Sequence, residues 1–95
     1  MKLKIKREIS IIILVLILII LTGGFAFYIF EQGVNPKINS YTDGVWLAAS
    51  TASSVGYGDV YPMTAEGKII SSMLGFTGLL LIGITSALFT KYLFK

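Results

Sequence analysis

Two long apolar stretches dominate this chain of 95 residues, and a more polar, glycine-containing stretch separates them. The first runs from Ile9 to Phe30 without a charged residue, and the second runs from Ile69 to about Phe89. At about 1.5 Å of rise per residue, a helix of either length crosses the hydrocarbon layer of a bilayer, which is about 30 Å thick. The pattern predicts two membrane-spanning helices, an outer helix over about residues 9–30 and an inner helix over about residues 68–94.

A shorter and moderately apolar segment over about residues 41–53 lies between these stretches. Ser40 and Asp43 stand three residues apart at its start, which is the spacing of a helix capping box. A helix of about 13 residues reaches only halfway across a bilayer, and irregular backbone at that depth is tolerated only where protein surrounds it. The segment therefore predicts a re-entrant helix.

The run Ser54-Val55-Gly56-Tyr57-Gly58-Asp59 follows this re-entrant helix directly. A row of carbonyls that all face one way requires residues of alternating handedness, and left-handed conformations are favourable mainly for glycine, as at Gly56 and Gly58. Such a row of oxygens attracts a cation. Because about six to eight oxygens are needed to replace the hydration shell of a hard cation, several copies of the strand must converge, and four copies give stacked planes of four oxygens.

Composition and charge place the chain in a membrane. Its hydrophobic content of 55% and mean hydropathy of +0.81 are too high for a soluble domain of this length. Basic residues precede the first apolar stretch and follow the second, so we expect a multi-pass protein of the cell membrane with both termini cytoplasmic. These residues are Lys2, Lys4, Lys6, Arg7, Lys91 and Lys95. They are not interleaved with exposed aromatic residues, so no nucleic-acid partner is predicted.

A signal peptide is the alternative interpretation of the first stretch, but the stretch is too long and ends in aromatic residues instead of a small-residue cleavage site. The absence of cysteine and histidine excludes disulfides, thiol chemistry and ordinary zinc sites. The carboxylates lie in loops without a partner to complete a catalytic site, so we expect no enzymatic activity. The segment 31–67 is acidic, which indicates either an attraction for cations or simple solvated loop charge.

Residues 54–59 resemble the selectivity filter of potassium channels, in which rings of backbone carbonyls replace the hydration shell of K⁺. Together with the two spans and the re-entrant helix, they identify residues 9–94 as similar to the pore domain of two-transmembrane-helix prokaryotic-type potassium channels. The resemblance implies an all-α membrane protein with one domain over residues 1–95, assembled as a homotetramer with three identical subunits as partners. It also implies K⁺ as the permeant ion, bound by the carbonyls of Ser54, Val55, Gly56 and Tyr57 and by the Ser54 hydroxyl.

The resemblance assigns supporting roles to Gly58, Asp59, Trp46 and Ser50. Trp46 stands eleven residues before Tyr57 and resembles the aromatic residue that packs behind the filter tyrosines, although an interfacial tryptophan is the alternative. Several family members offer a glutamate and a second tryptophan to the filter aspartate, and the matching positions here are Ser50 and Leu47. We therefore expect Asp59 to lack both an acid partner and an indole donor, and the outer filter to be less tightly braced.

Two glycines of the second span are candidates for a gating hinge. Gly78 stands twenty residues after Gly58, where related channels place the glycine at which the pore-lining helix bends, and Gly83 follows near the expected inner constriction. Close helix packing is the alternative explanation for the small residues of this span. Arg7 is the sole arginine, so no arginine-rich voltage-sensing helix is predicted. The chain is either an entire minimal channel or the pore of a larger protein whose gating domain or lipid ligand lies elsewhere.

Three functions follow from these patterns. The favoured one is a potassium-selective pore in the lipid membrane that conducts dehydrated K⁺ passively. A nonselective cation channel of the same fold is the alternative, since related nonselective channels differ by few filter residues. A small membrane-anchored assembly protein with an accidental glycine loop is the third. Reversal potentials separate the first two, and the mass of the particle in mild detergent separates the third.

Overall fold

The computed structural model describes residues 2–94 as three helices in chain order. Helix α1 runs over Lys2–Glu31, α2 over Tyr41–Ala52 and α3 over Ala65–Leu93. The molecule is elongated, with extents of 51 × 18 × 17 Å, because α1 and α3 are each long enough to span a membrane. The predicted all-α fold, with a short helix between two membrane-length helices, is confirmed for this part of the chain.

Both long helices begin earlier than the apolar stretches do. Helix α1 starts in the basic residues before Ile9, which are good helix formers and continue the helix without a break. Helix α3 starts at Ala65, where the Thr64 hydroxyl caps it by accepting a hydrogen bond of 2.9 Å from the Gly67 amide. Gly67, which the sequence interpretation placed in the segment before the helix, therefore belongs to the first turn of α3.

Helix α2 begins with the predicted capping box. The Asp43 amide donates to the Ser40 hydroxyl, while the Asp43 carboxylate accepts from the amides of Asn39 and Ser40 at 3.0 and 3.2 Å. The hydrogen bond from the Asn39 amide lowers the pKa of the Asp43 carboxyl from its usual value of 3.8; desolvation opposes this shift, and hydrogen bonds from Ser40 add to it. The capping box fixes the point at which α2 begins.

Adjacent glycines in α1 let the other two helices approach it closely. A Cβ atom added at Gly23 would lie 2.7 Å from the Leu74 side chain of α3, and one at Gly24 would lie 2.7 Å from Val45 of α2. The Gly44 backbone also packs directly on the Gly24 carbonyl. The Gly23-Gly24 pair thus holds the inner helix and the short helix on neighbouring faces of α1.

The buried core surrounds α2 and is small. It consists of Phe27, Ile38, Leu47, Ala48 and Leu74, with partly buried apolar residues of α1, of α3 and of the segment between α2 and α3 packed around it. In the most apolar window of each long helix, only 11% of residues are buried within the chain. Lipid or further protein must therefore cover most of the apolar surface of α1 and α3.

Candidate functional site

The stretch after α2 has an alternating backbone. Ser54, Gly56 and Gly58 have φ angles of +64°, +57° and +83°, whereas the intervening Val55 and Tyr57 have negative φ. Left-handed conformations were expected at the two glycines, but that of Ser54 was not, because left-handed backbone is uncommon outside glycine. Three left-handed residues at every second position give the alternation of handedness that a row of carbonyls facing one way requires.

The end of α2 holds this stretch through backbone hydrogen bonds. The amides of Val55 and Gly56 both donate to the Ser50 carbonyl, at 3.1 and 3.2 Å, and the Ser54 amide donates to the Thr51 carbonyl at 3.1 Å. These bonds satisfy carbonyls that the last turn of a helix otherwise leaves without a partner. The first half of the stretch is thus fixed to the helix that precedes it.

Trp46 braces the second half of the stretch. Its ring stacks on Tyr57, with centroids 5.1 Å apart and planes inclined by 14°. Its indole Nε1 donates to Asp59 Oδ2 at 3.0 Å, and the other Asp59 oxygen accepts from the Val60 amide at 3.0 Å. One side chain of α2 therefore contacts two residues of the stretch.

These contacts correct one expectation about Asp59. The prediction that Asp59 lacks an indole donor is wrong, because Trp46 both stacks on Tyr57 and reaches the aspartate. Ser50, which the resemblance names as a supporting residue, contacts the stretch through its backbone. The Ser50 hydroxyl donates to the Leu47 carbonyl of its own helix at 3.0 Å. The Ser50 backbone carbonyl accepts the hydrogen bonds from the Val55 and Gly56 amides.

A cavity of about 300 Å³ lies behind the stretch. Its lining combines hydroxyl-bearing side chains, apolar side chains and the glycine backbone: Leu47, Ser50, Thr51, Gly56, Gly58, Val60, Tyr61, Pro62 and Ser71. The cavity is large enough to hold several water molecules, and its hydroxyl groups could bond them. Ser50 thus borders open space, since a serine side chain fills little of it.

The segment 59–64, which we call the exit segment, is anchored to α1 through Glu31. This carboxylate is fully buried and accepts hydrogen bonds from the Met63 amide at 2.6 Å, the Thr64 amide at 2.9 Å and the Thr64 hydroxyl. A carboxylate is favoured there because the amino end of α3 carries a partial positive charge. Glu31 therefore ties α1 to the start of α3 and adds no open charge to the acidic segment in which it lies.

The two candidate hinge glycines have different surroundings. Gly78 is buried against the end of α2, where an added Cβ would overlap the Ala52 carbonyl oxygen and lie 2.7 Å from its carbon. Gly83 has no atom within 4 Å of an added Cβ. Gly78 is thus a point of close contact between α3 and α2, whereas Gly83 is unconstrained within the chain.

The structure brings most of the predicted site residues together around α2 and the stretch that follows it, and Gly83 lies apart from them. Sequence reasoning missed three residues of the exit-segment anchor, namely Glu31, Asn35 and Thr64. Their hydrogen bonds join positions up to 33 residues apart, so no local spacing could have indicated them. A polar side chain at the end of an apolar span was the single available signal.

The chain is similar to known ion channels. Residues 14–95 match the family model described as "Ion channel". A voltage-gated potassium channel of Aeropyrum pernix is 46% identical over 79 residues, which cover 78% of this chain and 27% of that protein. The calcium-gated potassium channel TvoK of Thermoplasma volcanium is 29% identical over 77 residues, which cover 80% of this chain and 22% of that protein.

A solved structure shares the arrangement of the three helices. It is the crystal structure of a voltage-gated K⁺ channel pore module in a closed state in lipid membranes, with a TM-score of 0.73 and 27% identity. The match covers 93% of this chain and 92% of that one, whereas the chain spans about a quarter of the length of the curated relatives named above. The predicted resemblance to a potassium-channel pore domain is confirmed, and the chain belongs to this ion-channel family.

Proposed function

We propose that this chain is a subunit of a homotetrameric pore that conducts K⁺ selectively and passively across the cell membrane. The observation that supports this most directly is the left-handed backbone at Ser54, Gly56 and Gly58, which is fixed to the end of α2. Backbone of alternating handedness can present successive carbonyls to one line, and this is the ligand geometry of a potassium-selective filter.

Four copies are proposed because one copy cannot surround an ion. About six to eight oxygens replace the hydration shell of a hard cation, and four strands supply four oxygens per plane. The side chains of Val55 and Tyr57 are 53% and 61% exposed in the single chain. Further subunits would cover them, and lipid would cover the outer faces of α1 and α3.

Within this pore, the carbonyls of Ser54, Val55, Gly56 and Tyr57 bind K⁺, and the Ser54 hydroxyl adds the innermost ligand. Gly58 lets the backbone continue the alternation. A second set of residues holds the strand in place: Trp46 and Asp59 at its outer end, and the Ser50 carbonyl at its inner end. The open space beside Ser50 supports a filter that is less tightly braced than in glutamate-bearing relatives.

We propose that α3 bends at one of its glycines when the pore opens. Bending at Gly83 would leave the contact between Gly78 and Ala52 in place, because Gly83 lies beyond Gly78 along α3 and an added Cβ there would meet no atom within 4 Å. Bending at Gly78 would separate α3 from the end of α2, and that end carries the filter. Single-channel recordings of Gly83→Ala and Gly78→Ala check this assignment, since an unchanged open probability in both variants would exclude a hinge at either glycine.

The basic residues at both ends support cytoplasmic termini. Because the chain contains no cysteine, single-cysteine variants give clean labelling from one side. We expect Lys37→Cys to react with an impermeant thiol reagent added outside, and Lys91→Cys to react only after the membrane is opened. The reverse result would overturn this orientation.

The central test is K⁺ flux into liposomes that contain the purified chain, with barium as blocker. Gly56→Ala should abolish the flux, because φ is +57° there and a side chain strains that conformation. Gly33→Ala is the matched control, since Gly33 also has positive φ and open surroundings but lies in the loop before α2. Equal flux in the two variants, or no barium-sensitive flux in the parent, would refute the proposal.

Selectivity is tested separately by reversal potentials in opposed K⁺ and Na⁺. The relatives named above are called potassium channels, and this supports K⁺ over the nonselective alternative. We expect a reversal potential near that of K⁺, and a value near zero would favour the nonselective pore. That the chain is not an enzyme remains a prediction in keeping with its family.

A further inference from the structure

We infer that Asn35 is a positioning residue for the outer end of the filter. Its side-chain amide donates to the Tyr61 carbonyl at 2.7 Å and to Glu31 Oε1 at 2.9 Å. It is the loop residue that joins the exit segment to the carboxylate that anchors it. This inference rests on the proposed function, because its main readout is conduction.

Every polar group of Asn35 has a partner. Its side-chain oxygen accepts from the Lys37 amide at 3.0 Å, its backbone amide donates to the Glu31 carbonyl at 2.8 Å, and its carbonyl accepts from the Ile38 amide at 3.1 Å. The residue is only 2% exposed, whereas most residues around it in the loop are exposed. A buried amide with this many bonds fixes one loop conformation, since each lost bond would leave a buried group without a partner.

The position of the Tyr61 carbonyl gives this arrangement its functional meaning. Three alternate residues of the exit segment are held from three different parts of the chain: Asp59 by Trp46 of α2, Tyr61 by Asn35, and Met63 by Glu31 of α1. Tyr61 is the middle of the three. The neighbouring Pro62 has no amide hydrogen, so it cannot supply a substitute bond.

An amide is required at position 35. It must donate twice, to a carbonyl and to a carboxylate, and accept once, and asparagine has this combination of groups. A carboxylate there would lose both donated bonds and would lie beside the Glu31 carboxylate. A like charge at this distance raises the pKa of an introduced carboxyl, and its protonated form could donate one bond again.

The test compares Asn35→Ala and Asn35→Asp with the parent in planar bilayers. Asn35→Ala removes all three side-chain hydrogen bonds, of which the bond to the Tyr61 carbonyl acts on the exit segment. We expect the fraction of time spent conducting to fall on the order of tenfold, which corresponds to the loss of that one bond. Asn39→Ala is the matched control, because Asn39 lies in the same loop but is exposed, and its side chain bonds only the nearby Pro36 carbonyl, at 3.0 Å. That control should conduct like the parent.

Asn35→Asp separates positioning from a general loss of folding. At neutral pH we expect it to conduct as poorly as Asn35→Ala, and acidification on the loop side of the membrane should restore conduction in Asn35→Asp alone. The charged group that contacts position 35 in the described structure is Glu31; Tyr61 and Lys37 contribute uncharged backbone groups. The parent at the same pH values controls for titration of Glu31 itself.

The outcomes are distinguishable from failure of the proposed function. If the parent shows no K⁺ conduction, the proposed function is refuted. If the parent conducts and Asn35→Ala matches Asn39→Ala, or if acid fails to restore Asn35→Asp, the role of Asn35 is refuted instead. The acid comparison uses one preparation at two pH values, so it remains decisive even if Asn35→Ala assembles poorly.

Discussion

Replacing Trp46 by phenylalanine separates the two contacts of this side chain. Phenylalanine retains a ring that can stack on Tyr57, but it has no N–H to donate to Asp59. The Asp59 carboxylate would then keep only its bond from the Val60 amide. We expect the outer half of the filter to leave its conducting conformation more readily in Trp46→Phe.

The magnitude follows from the 3.0 Å bond and its exposure. A hydrogen bond to a charged group contributes about 1.5–3 kcal/mol when buried, but this pair is exposed, so about 1 kcal/mol per subunit is the better value. If each subunit changes alone, the equilibrium between the conducting and nonconducting conformations of the filter shifts about fivefold. If four subunits change together in the proposed tetramer, the sum is about 4 kcal/mol and the shift roughly a thousandfold.

The assay is the decay of current through many channels after a step in K⁺ concentration, recorded from liposome patches. Tyr41→Phe is the matched control, because it removes one hydrogen bond of 2.9 Å, from Tyr41 to the Leu21 carbonyl, at the other end of α2. We expect faster decay in Trp46→Phe than in Tyr41→Phe. Equal decay in both, with intact tetramers, would show that the bond to Asp59 does not stabilise the conducting filter.

Three further predictions concern stability. Gly78→Ala should cost about 1–3 kcal/mol of stability through overlap with the Ala52 backbone, and it should lower the temperature at which the assembled particle dissociates. Gly83→Ala meets open space and should leave that temperature unchanged; equal dissociation temperatures in the two variants would contradict the close contact at Gly78. Glu31→Gln should lower the stability of the fold by at least about 1–3 kcal/mol, because it places an amide donor where the exit segment also offers donors. Glu66→Gln, at an exposed position, is the control in the same thermal measurement. The pKa of Asp43 is lowered in the folded chain, so the carboxylate stabilises the fold fully above pH 3.8, and this stabilisation is lost as the pH falls through the pKa of the folded chain. The difference in melting temperature between the parent and Asp43→Asn should therefore shrink in acid. A difference that stays constant with pH would exclude the capping role of the carboxylate.

The parts of the fold that the sequence predicts are those set by local spacing. The capping box needs only residues three apart, Ser40 and Asp43, and its bonds form as expected. The glycines at every second position required left-handed backbone, and Gly56 and Gly58 have it. The two spans follow from length and hydropathy alone. In each case the physical cause lies within a few residues of its effect.

The missed features join distant residues or use backbone atoms. The bond between Trp46 and Asp59 crosses 13 residues, and that between Asn35 and Tyr61 crosses 26. A sequence comparison that assigns one role per position therefore misjudged Trp46, which has two. The support from Ser50 comes from its carbonyl, a group that every residue possesses, so its identity could not indicate the bond.

Ser54 shows how these contacts depend on one another. Its left-handed backbone costs roughly 1–2 kcal/mol for a residue with a Cβ, and glycine would remove that cost. Glycine would also remove the hydroxyl that the proposed innermost ion site requires, so the strained residue is the one that can serve as a ligand. The strain is offset next to it, because the amides of Ser54, Val55 and Gly56 all donate to the end of α2. The conformation of the proposed filter therefore depends on where α2 ends, and Gly78 of α3 packs against that same end. We expect a movement of the inner helix to change the proposed innermost ion site through this contact.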